Sequence, residues 1–130
     1  MAQYLLYDEK SKQLEYKDLY NFVIGSKNPL GLKLKPRIKN NMIVADYTFL
    51  PEHVGPPNMA HGGALAAVCD DMMGLVCFCL NQISMTINLN VNYLNPVLLG
   101  QPYHTKAWLV KINDKKIMCE SIIYNKTHCC

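Results

Sequence analysis

Residues 62–80 read GGALAAVCDDMMGLVCFCL, and residues 85–94 read MTINLNVNYL. The first stretch is apolar on nearly every side except at Asp70 and Asp71, which marks a helix enclosed by other structure. In the second, Thr86, Asn88, Asn90 and Asn92 alternate with Ile87, Leu89, Val91 and Tyr93. That period of two describes a strand with one polar and one buried face. Asn81 and Gln82 divide the two elements. A lone helix this apolar has to lie against a sheet that curls around it.

Upstream, Leu32–Lys35 and Asn41–Leu50 read as strands, the second carrying Ile43, Val44, Tyr47, Thr48 and Phe49. Pro51, Gly55, Pro56 and Pro57 stop that strand and stiffen a loop, which ends at Asn58-Met59-Ala60-His61 where the helix begins. Downstream, Pro96 and Gly100-Gln101-Pro102 punctuate the chain. Tyr103–Ile112 and Lys116–Tyr124 then form a hairpin around Asn113-Asp114-Lys115. Nearer the start, residues 15–24 predict a short helix and Asn28-Pro29-Leu30-Gly31 a turn. The order is strand, long buried helix, then consecutive antiparallel strands. It predicts an α+β protein in the hotdog arrangement, an antiparallel sheet wrapped around one long central helix. One domain over residues 1–130 is expected, with 1–27 as a helical lead-in.

Composition narrows the function classes. The net charge of +3 comes from scattered lysines without a run of five like charges, so no nucleic-acid footprint is present. Residues 62–80 approach membrane length, but an aspartate at mid-membrane costs about 3 kcal/mol, so a buried helix is the expected state. Met1–Leu19 mixes Asp8, Glu9, Glu15 and Asp18 with lysines and has no long apolar core. No signal or transit peptide is predicted, and a cytoplasmic protein is expected. Three of the six cysteines (Cys69, Cys77, Cys79) fall inside the helix and two, Cys129 and Cys130, are adjacent. The pattern suggests no disulfide framework and fits small core residues in a reducing compartment. Cys77 and Cys79 face different sides of a helix, which spoils them as a metal pair, and His128 to Cys130 reads as a frayed tail.

Three features carry candidate chemistry. His61-Gly62-Gly63 opens the helix, where the first amides lack intrahelical acceptors and meet the positive end of the dipole. Without a Cβ, glycine lets a ligand oxygen approach those amides, which suits a developing oxyanion. The plainer reading is that two glycines merely permit a sharp start to the helix. Asp70 lies among Val68, Cys69, Met72 and Met73, where burial would raise its pKa and make it a general base near neutral pH. Asp71 is expected to reach solvent at the helix edge. Thr86 heads the polar face of the best strand, where its hydroxyl can orient Asp70 or hold a water. Gly62 and Asp70 are eight residues apart, so about 12 Å of helical rise separates them. One reacting carbon can hardly lie within about 3 Å of both in one chain. If both act, Asp70 comes from a second subunit.

Residues 55–67 (GPPNMAHGGALAA), followed by Asp70, resemble the start of the helix in PaaI-like hotdog thioesterases, nearest to the animal "thioesterase superfamily member" branch. Residues 86–93 with Pro96 are similar to the strand that follows it there, and Asn28–Leu32 to a looser upstream motif. The resemblance implies hydrolysis of acyl-CoA to free acid and coenzyme A, with no metal or redox cofactor, in a homodimer or dimer of dimers with shared sites. It implies that Gly62 offers its amide to the thioester carbonyl and that Asp70 acts as general base or nucleophile. Thr86 would position Asp70 and His61 would support the helix start. Gly63, Asn58 and Asp71 are the residues expected near substrate. Two departures stand out. Gly55 occupies a position where many such enzymes have asparagine, and Lys126–Cys130 stands where a further strand is expected. A hotdog hydratase would need a histidine a few residues past the acid, and Leu75 and Val76 follow instead. The remaining alternative is a non-catalytic module that binds acyl-CoA or only dimerises.

Overall fold

A computed structural model describes residues 20–82 and 84–130. Among the described residues, four antiparallel strands form one sheet in the order β1 (Arg37–Lys39), β2 (Met42–Thr48), β3 (Pro102–Asn113) and β4 (Lys116–Tyr124), and one long helix, α1 (Gly62–Cys79), packs on it. The four strands therefore follow chain order, with the helix inserted between β2 and β3. This is the predicted hotdog arrangement.

Local chemistry explains the boundaries. Asn40 and Asn41 both adopt positive φ (51° and 60°), the twist of a two-residue hairpin turn, and pair Ile38 with Ile43 across it. That hairpin moves the first strand to Arg37–Lys39 from the expected Leu32–Lys35. Leu32 and Leu34 instead donate backbone hydrogen bonds to Phe22 and Val23, so this stretch runs beside the lead-in. Of the helix predicted over 15–24, residues 15–19 lie outside the described residues. Residues 20–24 form a turn closed by Gly25 N–H to Asn21 O. The Asn21 side chain accepts from the amides of Val23 and Ile24, the local bonding by which asparagine favours turns over helix. At the other end of α1, Asn81 takes φ of 60°, and Gln82 and Asn81 donate back to Cys77 and Phe78. This is a Schellman cap with asparagine in place of glycine.

Helix and sheet meet in one core. Leu65, Val68, Met72, Leu75 and Val76 line the inner face of α1 and pack with Ile43, Ala45, Phe49, Val97, Tyr103, Ala107 and Ile123. The helix passes for a membrane span by length and composition, yet this face is committed to the sheet. It is not enclosed all round as its composition suggested. Gly74 and Phe78 are exposed, and Ala66, Ala67, Asp70 and Met73 are only partly covered.

The largest departure is at residues 84–94. The alternation predicts a strand with one buried face, but residues 84–94 form no strand and join no ladder among the described residues, bend at Ile87 and are exposed throughout. Met85 and Ile87 are 88% and 78% exposed. Alternation assigns faces to a strand; a ladder also needs a neighbouring edge. Only the end of this segment has one. Leu94 N–H donates to Cys130 O, and Cys130 N–H donates to Ile123 O, so Cys130 stands between the segment and β4. The expected frayed tail is thus a turn, in which Asn125 N–H reaches His128 O and the Asn125 side chain accepts from Thr127 and His128.

Met72 has no exposed surface and sits mid-helix against the sheet. Met72→Ala should cost about 2–5 kcal/mol of unfolding free energy in a urea titration, the range for a large-to-small change in a packed core.

Candidate active site

The loop from Pro51 to His61 sets the angle at which α1 starts. Gly55 N–H donates to Met59 O, Met59 N–H to Pro56 O, and Asn58 turns through positive φ (64°). A Cβ on Gly55 would lie 2.8 Å from the His61 Cα, a backbone contact that cannot yield. The glycine at this position is therefore a packing requirement of the loop. His61 N–H is held by His53 O at 2.7 Å, and Asn58 O by Leu99 N–H at 3.0 Å.

His61 is the N-cap of α1, and its ring Nδ1 accepts from the Gly63 amide at 2.8 Å. The ring fills the space a Cβ on Gly63 would need, at 3.0 Å. Gly63, expected near substrate, thus has its amide committed to His61. The Gly62 amide, first in the helix, has no intrahelical acceptor, and none takes it among the described residues. His61 gives the helix start its supporting cap and leaves one amide directed outward at the positive end of the dipole.

Tyr93 completes this end. Its hydroxyl donates to Gly62 O at 2.9 Å, and its ring lies 3.3 Å from where a Gly62 Cβ would sit. Nothing in spacing or composition announces a contact across 31 residues, and the sequence reading placed Tyr93 only on the buried face of its strand.

Two turns along, Thr86 Oγ1 donates to Asp70 Oδ1 at 2.7 Å. The orienting contact expected of Thr86 is present. The expected burial of the two acids is reversed. Asp71, read as solvent-facing, is the more confined: Asn21 Nδ2 donates to its Oδ1 at 3.3 Å, and its Oδ2 is buried with no partner. Burial pushes the Asp71 carboxyl above the usual aspartate value; the Asn21 hydrogen bond opposes the rise and the Asp70 charge adds to it. Helix geometry explains the exchange. Asp70 is about 200° round the helix from both Val68 and Met72, whereas Asp71 is about 100° from Met72 on the flank near the lead-in. Asp70 therefore faces away from the sheet, toward residues 84–94. The structure brings together His61, Gly62, Gly63 and Tyr93 at the helix start, and Asp70 with Thr86 further along. Within one chain it does not join the two groups, and Asp71 and Asn58 belong to neither.

Residues 57–129 match the Thioesterase superfamily, and the chain belongs to that family. Acyl-coenzyme A thioesterase THEM5 of Homo sapiens is 31% identical over 72 residues, 55% of this chain and 29% of that protein. Acyl-coenzyme A thioesterase THEM4 of Xenopus laevis is 36% identical over 63 residues, covering 48% and 28%. The matched stretch is thus under a third of the length of either relative. Among solved structures, a thioesterase superfamily protein superposes with a TM-score of 0.79 at 23% identity, over 87% of this chain and 64% of the other. The PaaI protein of E. coli gives 0.67 at 16% identity, over 73% of each chain. A hypothetical thioesterase from Streptococcus pneumoniae TIGR4, crystallised with coenzyme A, gives 0.65 at 23%, over 69% and 73%. These structural likenesses are of fold, and they agree with the PaaI-like resemblance read from residues 55–67.

The raised Asp71 pKa has a sign that can be checked. The folded state takes up the proton before the unfolded state does, so the Asp71 charge weakens the fold above its raised pKa. That penalty is relieved as pH falls toward the ordinary value of 3.8. Asp71→Asn should therefore unfold at higher urea than wild type at neutral pH, with the difference shrinking as the titrations move from about pH 8 to about pH 4.

Proposed function

We propose that the chain hydrolyses acyl-CoA thioesters to free carboxylic acid and coenzyme A, in a site shared between two subunits. The observation that carries this reading is the pair of half-sites along α1. An uncommitted Gly62 amide stands at the helix start, and an Asp70 carboxylate held by Thr86 stands two turns on.

Each half does what the other lacks. The Gly62 amide, at the positive end of the dipole, stabilises negative charge that develops on the thioester oxygen. Asp70 supplies the basic oxygen. As general base it takes a proton from water while the water oxygen adds to the carbonyl carbon; collapse of the tetrahedral intermediate then releases the thiolate of coenzyme A, which is protonated on departure. As nucleophile it would add to the same carbon and expel the coenzyme A thiolate, leaving an acyl-aspartyl anhydride that water then hydrolyses to the free acid and the regenerated carboxylate. In either case Thr86 fixes which carboxylate oxygen is free, because its hydroxyl occupies Oδ1. His61 withholds the Gly63 amide, so Gly62 is the donor at hand.

The two halves are about 12 Å apart along one helix, too far to share one carbon. Pairing two chains supplies the missing half to each. The face of α1 that bears Asp70 and the exposed apolar side chains of residues 85–94 support such a pairing, since a contiguous apolar surface of this kind marks a partner site. Acyl-CoA as substrate is supported by the named activity of the curated relatives and by the coenzyme A in the pneumococcal structure.

Steady-state hydrolysis of a panel of acyl-CoAs tests the reading. Asp70→Asn should lower kcat at least about 100-fold, the scale for losing a general base. Rates equal to wild type would overturn the role of Asp70, and no hydrolysis by the wild type itself would leave only a binding module. Sharing is tested separately by mixing Asp70→Asn chains with Gly62→Pro chains, each inactive alone. A mixed dimer should recover up to about half of the wild-type dimer's rate, since one of its two sites is intact. No recovery in a demonstrated mixed dimer would place both groups in one chain.

A further inference from the structure

Gly62 and Gly63 have the least restricted backbones at the helix start, because neither carries a Cβ. A donor that is to stabilise a developing charge needs a fixed direction, and glycine does not supply one. Hydrogen bonds around it have to. The peptide unit between the two glycines is held at both ends by side chains. Its N–H, on Gly63, donates to His61 Nδ1 at 2.8 Å, and its carbonyl, on Gly62, accepts from the Tyr93 hydroxyl at 2.9 Å. The preceding peptide unit carries the uncommitted Gly62 N–H. Its carbonyl, on His61, accepts from the amides of Ala64 and Leu65 at 2.9 and 3.2 Å. The backbone dihedrals of Gly62 join the two units, so whatever holds the second limits how far the first can turn.

Of the two side chains, only Tyr93 comes from outside the loop and helix. The backbone next to it is anchored, since Leu94 N–H donates to Cys130 O at 3.0 Å. The ring adds a steric limit: its Cζ and hydroxyl oxygen lie 3.3 Å from where a Gly62 Cβ would sit, so that side of Gly62 is filled. Yet Tyr93 is 55% exposed and contributes little to the core. Its placement serves the helix start more than it serves packing.

We propose that Tyr93 is a positioning residue for thioester hydrolysis, whose hydroxyl fixes the direction of the Gly62 amide by anchoring the carbonyl of the same residue. This role rests on the hydrolytic reading given above. The hydroxyl proton is engaged at Gly62 O, so Tyr93 acts through the backbone and not on the substrate. An amide free to swing still meets a ground-state carbonyl, but it stabilises the oxyanion less well. The loss therefore falls on kcat and leaves KM in place.

The experiment compares the 130-residue chain with Tyr93→Phe, which keeps the ring and loses the hydroxyl. With an acyl-CoA that the wild type hydrolyses, kcat should fall about 10-fold, less than the roughly 100-fold for losing an oxyanion donor outright. KM should stay within about twofold, and the thermal midpoint within about 2 °C. Tyr93→Leu, which loses the ring as well, should fall at least as far. A second readout needs no substrate. Hydrogen exchange at the Gly63 amide, followed by NMR on nitrogen-15-labelled protein, should quicken about 10-fold in Tyr93→Phe, because that peptide unit has lost its other anchor. Unchanged exchange, an unchanged kcat in Tyr93→Phe, or a loss confined to KM would each overturn the role of Tyr93 while hydrolysis by the wild type upholds the reading it rests on. Absence of hydrolysis by the wild type overturns that reading, and this role with it.

Discussion

An 18-residue helix made almost wholly of apolar residues must choose one side to bury, and that choice orients everything mounted on it. In this protein the choice falls on Val68, Met72 and Val76, which share one core with Ile43 and Ala107 of the sheet and Phe49 just past β2. Rotation about the helix axis is then set. Asp70 turns away from the sheet toward Thr86, and Asp71 turns toward Asn21. Composition alone could not have selected this side, because alanine, cysteine, methionine and leucine occur all round the helix. Packing against the sheet made the selection.

The helix start is constrained more tightly than any other part. Three glycines meet there for three different reasons. Gly55 lets the loop backbone pass His61, Gly63 leaves room for the capping imidazole, and Gly62 lies under the Tyr93 ring. Their effect is to hold one amide outward with no acceptor of its own. An amide left unpaired in water is unremarkable chemistry, but at a helix start beside a rigid loop it is held in a fixed direction, which is what stabilising a transient oxyanion requires. Under the proposed function, the spacing to Asp70 makes the site a property of two chains. The same helix that positions both groups also keeps them apart.

Much of this was legible beforehand. The extent of α1, the hairpin of β3 and β4 and the rigid loop follow from local patterns, since Pro, Gly and Asn act on the backbone where they stand. His61, Gly62, Asp70 and Thr86 were identifiable because each contradicts its surroundings or repeats a family pattern. The short β1 was missed although Asn40-Asn41 marks its turn, because Leu32–Lys35 presented the more apolar run. Tyr93 and the Asn21–Asp71 contact had no local sign, as they join residues 31 and 50 positions apart.

Residues 84–94 show where the two kinds of information separate. Alternation assigns the faces a strand would have, but a strand also needs a neighbouring ladder, and this segment, bent at Ile87 and exposed on both sets of side chains, has none among the described residues. The sequence by itself determined that residues 62–79 are helical and that a carboxylate interrupts their apolar surface. Only the tertiary structure decided which of the two aspartates is confined, which helix amide is left without an acceptor, and that among the described residues the backbone of 84–94 bonds to a neighbour only at Leu94. Each of those outcomes depends on what lies across a gap in space, and no local pattern encodes the far side of that gap.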